Sequence, residues 1–250
     1  MNFLNRHIIL LAVTGLLTFA TACSSQLHIS ELTHHYYEIS DEKSAHQEME
    51  AFLLPYKTAM EAEMNEVVGY VAENMPRSQP ESLLGNFVAD LILEQGKIYH
   101  GGHIDASIVN IGGLRVPNLA EGELTKGHVF ELMPFDNFLV VMEVSGAIIE
   151  KISTVIGEFS GWPVSGMTLV LDDGQPEQIK IGGKPLNREE KYTIVLSDFL
   201  ADGGDRLSFL VDMPRKNLGI LFRDAIFDYL ERLSGEPVHS QLDGRVKYAE

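Results

Sequence analysis

Asp105-Ala-Ser-Ile-Val-Asn110-Ile-Gly-Gly-Leu-Arg115 runs a short apolar segment straight into a glycine pair. Ser107, Ile108 and Val109 are too few for a helix and end in turn residues, so they read as a buried strand. Paired glycines let the backbone approach a ligand closely, and an arginine just beyond them can fork onto a phosphate or a carboxylate. Taken alone, Gly112-Gly113 is equally a plain turn of the chain. Working outward, the same association of strand and turn recurs. Residues 192–196 form a second buried strand, which feeds Asp198-Phe-Leu-Ala-Asp-Gly-Gly-Asp205. Residues 138–144 form a third, next to Met133-Pro-Phe-Asp-Asn137, an aromatic on a proline-stiffened loop.

Helices lie between these strands. In residues 43–65, Phe52, Leu53, Tyr56, Met60 and Met64 recur at three and four, an amphipathic helix with Pro55 as a kink. Residues 66–73 alternate as a strand. Residues 82–95 place Leu83, Phe87, Leu91 and Ile92 on one helical face, with Gly96 as the expected stop. Further helices are expected over 145–156 and 218–233, and a hairpin-like pair over 167–171 and 179–181 around Asp172-Asp173-Gly174. Helices and strands interleave without strict alternation, which predicts an α+β (mixed α/β) fold, a single layered domain of mixed sheet and helices.

The three turns supply complementary chemistry. Phe135 and Phe199, on separate loops, can sandwich a flat ring, while Asp205 can accept hydrogen bonds from sugar hydroxyls. With Arg115 as an anion clamp, the set describes a nucleotide pocket. Other candidates carry less. His34-His35 has no carboxylate at ligand spacing and reads as solvated tether. His100, His103 and Asp105 lie in a glycine-rich loop and shape it, Asp172-Asp173 forms a turn, and Ser197-Asp198 lacks a histidine for a triad. Trp162 is either core or pocket wall.

The order Leu84-Gly85-Asn86-Phe-Val-Ala-Asp90, Asp105 to Arg115, Met133 to Asn137, then Phe199-Leu-Ala-Asp-Gly-Gly-Asp205 resembles the C-terminal domain of the 5'-nucleotidase family. Four ordered motifs are far more specific than one glycine pair, and the resemblance extends from about residue 50 to the C-terminus. Gly122-Glu-Leu-Thr125 and Val164-Ser-Gly166 resemble family connections as well. The resemblance implies a domain that binds nucleotide and leaves hydrolysis to another domain. It implies Asn110, Gly113 and Arg115 around the phosphate and ribose, and Phe135 and Phe199 stacking on the base. It also implies Asn137 beside the base and Asp205 on the ribose. The family's additional phosphate-binding arginine, seven residues before the glycine of Leu-Gly-Asn, falls here on Ser78, with Arg77 adjacent.

In that family two metal ions are held in an N-terminal domain by an Asp-x-His pair, a Gly-Asn-His-Asp/Glu motif and a His-x-His pair, where they activate water. None of these motifs occurs in the 250 residues. The expectation is therefore no catalytic residue, metal or other cofactor in this chain, with divalent metals on a partner metallophosphatase. The N-terminus is consistent with an exported protein. Arg6 precedes an apolar run over 8–20, and Ala20-Thr21-Ala22-Cys23 has the form of a lipoprotein cleavage site at the chain's single cysteine. This predicts a signal peptide over 1–22, lipidation of Cys23, a tether over 23–42 and one domain over 43–250, held at the cell envelope in the periplasm or at the outer membrane. The anchor would be the chain's contact with membrane. A formal charge of −17 argues against nucleic acid as a partner. Two functions fit: the nucleotide-binding subunit of a split 5'-nucleotidase, or a lipoprotein that binds nucleotides or nucleosides without catalysis.

Overall fold

In the computed structural model, which describes Tyr36 and residues 46–249, the longest strand takes up the apolar stretch Phe138-Leu-Val-Val-Met-Glu-Val-Ser145. The elements in chain order are α1 (Gln47–Met64), β1 (Val67–Val71), β2 (Met75–Pro76), α2 (Leu83–His100), β3 (Ala106–Ile108), β4 (Asn118–Leu119), β5 (Gly122–Thr125), α3 (Lys126–Leu132) and β6 (Phe138–Ser145). They continue with α4 (Gly146–Glu158), β7 (Val164–Ser165), β8 (Met167–Asp172), β9 (Gln175–Ile181), β10 (Lys184–Pro185), β11 (Lys191–Ser197), α5 (Asp198–Ala201), β12 (Lys216–Leu221), α6 (Phe222–Leu233) and β13 (Val246–Tyr248). The expected signal peptide, Cys23 and the His34-His35 pair lie outside the described residues. Among the described residues no helix is long and apolar enough to cross a membrane.

The main sheet has the order β12-β6-β11-β3-β7. β11 runs parallel to β3 and antiparallel to β6, and β6 is antiparallel to β12. Successive side chains of a strand point to opposite faces, and here both faces are covered. Leu139 and Val141 of β6 and Val195 of β11 join a core with α2 and α6, through Phe87, Leu91, Ile92 and Ile226. Their neighbours Val140, Met142, Val144, Ile194 and Leu196 join a second core with Ile149, Ile152 and Ile156 of α4 and Leu169 of β8. The sheet is thus the middle layer between helices and a second layer formed by α4 and the sheet β10-β9-β8-β13. Smaller pairs, β1 with β5 and β2 with β4, flank the first core. β8 and β9 join through Asp173 and Gly174, both at positive φ (44° and 74°), the two-residue hairpin that an Asp-Gly pair favours.

Several expectations change. α2 passes through Gly96 and stops at Gly101, whose φ of 70° and N–H bond to Lys97 O cap the helix. Gly96 is instead a packing residue: a Cβ there would sit 3.1 Å from Ile104 and Val195 side-chain atoms. The helix expected over 218–233 begins only at Phe222, because residues 216–221 extend as the edge strand β12. α1 forms, with Pro55 inside it, but none of its residues is buried, and Phe52, Leu53, Tyr56 and Met60 are all exposed. Trp162 is fully buried core rather than pocket wall.

The Leu84 to Asp90 motif turns out to hold the C-terminal segment. Asn86 donates from Nδ2 to Glu81 Oε1 (2.6 Å) and to Gln241 O (2.8 Å). The Arg245 guanidinium, 8% exposed, pairs with Asp90 and Asp243 at 2.7 Å each, and Glu81 accepts the N–H groups of Asp243 and Gly244. The Arg245 hydrogen bond holds the Asp243 carboxyl below the usual carboxylate range. A depressed carboxylate contributes stability above its unfolded value near 4, and that contribution is lost as pH falls through the folded value. Arg245→Met should lower stability at pH 7 by about 1–2 kcal/mol, since it leaves the buried Val164 carbonyl and the partly exposed Asp90 and Asp243 carboxylates without their guanidinium donor. Urea unfolding of both proteins at pH 7 and pH 3 should show that the difference narrows in acid.

Candidate functional site

The strand register brings the three turns to one edge of the main sheet. β3 and β11 run in the same direction side by side, with Ser107 opposite Val195, so the chains that leave them emerge together. β6 enters the sheet at that edge, with Leu139 opposite Ser197, and β12 ends there with Leu221 opposite Phe138. The carboxyl ends of neighbouring parallel strands are where sheets of this kind leave a crevice.

All seven residues singled out from the sequence, Asn110, Gly113, Arg115, Phe135, Asn137, Phe199 and Asp205, line one cavity there, with a volume of about 380 Å³ and Gly112 as the remaining wall. This lies in the range of small-molecule sites, about 300–1,000 Å³. Asn110 opens the short 3-10 turn Ile111–Gly113 and donates from Nδ2 to Asp205 Oδ2 at 2.7 Å, tying the first turn to the third. A Cβ on Gly113 would stand 2.9 Å from Asn110 Oδ1, so the glycine is needed to keep that amide in place. In the third turn Ser197 Oγ accepts the Leu200 N–H and starts α5. Gly203 (φ 89°), Asp205 (φ 46°) and Arg206 (φ 71°) then bend the chain through left-handed conformations. Holding two non-glycine residues there costs on the order of 1–3 kcal/mol each. The Asn110 bond on Asp205 and an ion pair from Arg206 to Glu158 (3.0 Å) oppose that strain.

The two phenylalanines are 38% and 41% exposed, although most other large apolar residues of the sheet region are buried. Phe135 is faced by the Arg115 guanidinium, 5.8 Å from the ring centroid. The rings thus offer flat apolar surface to the cavity, Asp205 an acceptor and Arg115 a cation.

Arg77 joins this site, which the sequence left open. It donates to Leu114 O and, with Ser78, Gln79, Ile111, Gly112 and Arg115, lines an adjoining hollow of about 440 Å³ that shares Gly112 and Arg115 with the first. Among the described residues, Arg188, Arg206, Arg215, Arg223, Arg232 and Arg245 each pair with a carboxylate within 4.0 Å. Arg77 and Arg115 are not among the ion pairs, and both face the same hollow. In a chain with 36 acidic and 19 basic residues, two cations left without a carboxylate form a place for an anion.

Arg223 was not anticipated. It stands in the first turn of α6, where a cation opposes the helix dipole, so its place needs another explanation. Its Nη2 pairs with Asp136 at 2.7 Å, in the loop that carries Phe135. The other polar candidates are used structurally. His103 pairs with Asp105 (2.9 Å), and the second Asp105 oxygen accepts the Thr193 N–H.

An α+β domain whose cavity, at the carboxyl ends of parallel strands, combines two phenylalanine rings, a carboxylate and a guanidinium has the form of a small-molecule-binding domain. The chain belongs to the 5'-nucleotidase family, since residues 65–212 match the model of the 5'-nucleotidase C-terminal domain. It is 31% identical over 225 residues to the trifunctional nucleotide phosphoesterase protein YfkN of Bacillus subtilis, covering 81% of this chain and 15% of that protein. It is 26% identical over 156 residues to a 5'-nucleotidase of Vibrio cholerae, covering 59% and 27% of the two chains. The solved structure of a 5'-nucleotidase precursor from Thermus thermophilus superposes with a TM-score of 0.69 at 27% identity, over 80% of this chain and 43% of that one. The chain therefore spans less than half the length of these relatives.

Packing explains the second glycine pair. A Cβ on Gly204 would lie 2.5 Å from both Cε1 and Cζ of Phe199 and 2.6 Å from its carbonyl oxygen. Gly204→Ala should turn the Phe199 ring out of its present position and lower stability by about 1–3 kcal/mol, readable as a fall in thermal midpoint and a displaced ring in a crystal structure of the variant.

Proposed function

We propose that this chain is the nucleotide-binding part of a cell-envelope 5'-nucleotidase whose dimetal phosphatase is supplied by a separate polypeptide. The observation that carries the reading is that Phe135 and Phe199 flank the same cavity as Asn110, Asp205 and Arg115, which pairs with no carboxylate among the described residues. A base between the rings would place its ribose at Asp205 and Asn110, with Asn137 beside the base edge. The phosphate would lie towards Arg115, Gly113 and, in the adjoining hollow, Arg77.

In this reading the arrangement binds and orients the nucleotide, and the phosphoester is broken at a site on the partner. Among the described residues no cluster of three or more His, Cys, Asp or Glu has the geometry to hold a metal ion. Divalent metals on a partner metallophosphatase would supply an activated water and stabilise charge on the phosphoryl oxygens. The exposed Phe52, Leu53, Tyr56 and Met60 of α1 support a partner, since an apolar helix face left in water favours burial against another surface. Lipidation of Cys23 after removal of residues 1–22 would hold the chain at the membrane. A partner anchored to that membrane would meet it at raised effective concentration.

Calorimetry with nucleoside monophosphates tests the site. Native protein should bind at micromolar to submillimolar affinity, and Phe199→Ala and Arg115→Ala should each weaken binding by about 1–3 kcal/mol, or roughly five- to 150-fold. Binding no tighter than millimolar, or variants that match the native protein, would refute the pocket. The split arrangement is tested separately by adding the purified chain to a metallophosphatase-domain polypeptide. Phosphate release from a nucleoside monophosphate should rise above that of the polypeptide alone.

A further inference from the structure

Phe135 and Asn137 sit on a loop that the core anchors at its first residue, Met133, which is 2% exposed. Beyond that anchor Phe135 is 38% exposed, and Pro134 and Asp136 are exposed. Something else must fix its shape. The first two residues of α6 do this. The Phe222 N–H donates to Asn137 O at 2.8 Å. The Arg223 guanidinium reaches Asp136 Oδ1 at 2.7 Å through Nη2, and its Nη1 lies 3.4 Å from Met133 O and 3.5 Å from Phe135 O. The opposite side of the guanidinium is covered by the Phe130 ring, 4.3 Å from its centroid.

The energetics separate a role in positioning from a role in stability. Asp136 is largely exposed, so as a surface ion pair its contact with Arg223 would contribute about 0–1 kcal/mol. Arg223 is only 8% exposed and its Nε is buried without a hydrogen-bond partner. A guanidinium is thus kept out of water, at a helix end that disfavours it, with its remaining donors turned to three consecutive loop positions apart from Pro134. A planar fork suits that task because it addresses several acceptors in fixed directions, which an ammonium does not.

We propose that Arg223 is a positioning residue: with Phe222 it sets the conformation of residues 133–137 and thereby holds Phe135 and Asn137 in place for a flat ring, without touching the ligand. The inference rests on the nucleotide-binding reading and sharpens it. The cavity has two halves whose main supports differ, joined where the Arg115 guanidinium lies over the Phe135 ring. Asn110, Gly113, Arg115 and Asp205 are held by the turns after β3 and β11, and by the Asn110 bond to Asp205. The ring-binding half contributed by Phe135 and Asn137 is held by α6. Loss of Arg223 should therefore weaken recognition of the base and leave recognition of sugar and phosphate intact.

The test compares adenosine 5'-monophosphate with ribose 5-phosphate, which lacks the base, by calorimetry on native protein, Arg223→Met, Arg223→Lys and Asp136→Asn. Arg223→Met should weaken the nucleotide about ten- to thirtyfold, within the range of base stacking, and ribose 5-phosphate by less than about twofold. Arg223→Lys should recover part of the loss, because it restores the charge for Asp136 but not the fork, and Asp136→Asn should lie between native and Arg223→Met. Equal weakening of both ligands, or no change in the nucleotide, would overturn the proposal. Amide hydrogen exchange at residues 135–137 without ligand gives a second reading: faster exchange in Arg223→Lys and Asp136→Asn than in native protein supports the tether, and unchanged exchange in both refutes it. If native protein binds neither ligand, the nucleotide reading falls while the exchange experiment still decides the role of Arg223.

Discussion

The side-by-side parallel pairing of β3 with β11 is the constraint from which the site follows. Parallel strands place their carboxyl ends together, and in this chain each of these ends runs into a glycine turn. Adding β6 antiparallel to β11 brings the Met133 to Asn137 loop to the same edge, because Leu139 must face Ser197 for the ladder to close. Register here carries chemical meaning. A one-residue slip of β6 would exchange the residues that enter the two cores, so the loop's position is secured by buried apolar surface on both sides of the sheet.

Charge is distributed with the same economy. The chain carries −17 overall, a field that repels anions at a distance. Within the described residues, six arginines are neutralised by carboxylates in structural pairs, while Arg77 and Arg115 project to one hollow beside the glycine turn. Local geometry, more than net charge, decides where an anion can reside. The same contrast separates Arg245 from Arg115: one guanidinium is buried among Asp90 and Asp243 to clip the C-terminal segment, the other lies open at the cavity.

The two glycine pairs illustrate why residues close in sequence can differ in purpose. Gly113 and Gly204 are small because a side chain would strike Asn110 and Phe199, both of which line the cavity. Gly112 lines both hollows, and a Cβ there would meet Asn110 Nδ2 at an ordinary 3.8 Å. Leu84 to Asp90, by contrast, is as recognisable a motif as the others, yet Asn86 and Asp90 act on the C-terminal segment and lie away from the cavity. Recognising a motif identifies residues under constraint, and only contacts tell which constraint applies.

By itself the sequence determined the mixed α/β character, the buried strands over 107–109, 138–144 and 192–196, and seven residues that one cavity gathers. These were legible because strands buried on both faces are continuously apolar, and because turn chemistry is local and needs particular residue types. The sequence overstated Gly96 as a helix stop and merged β12 with α6, since a glycine that packs looks like one that caps, and a mixed apolar stretch suits either element. Tertiary structure alone decided the roles of Arg77, Arg223 and Arg245. A lone arginine has no periodicity to read, and its function depends on which carbonyls and carboxylates, up to 155 residues away in the chain, the fold brings to its guanidinium.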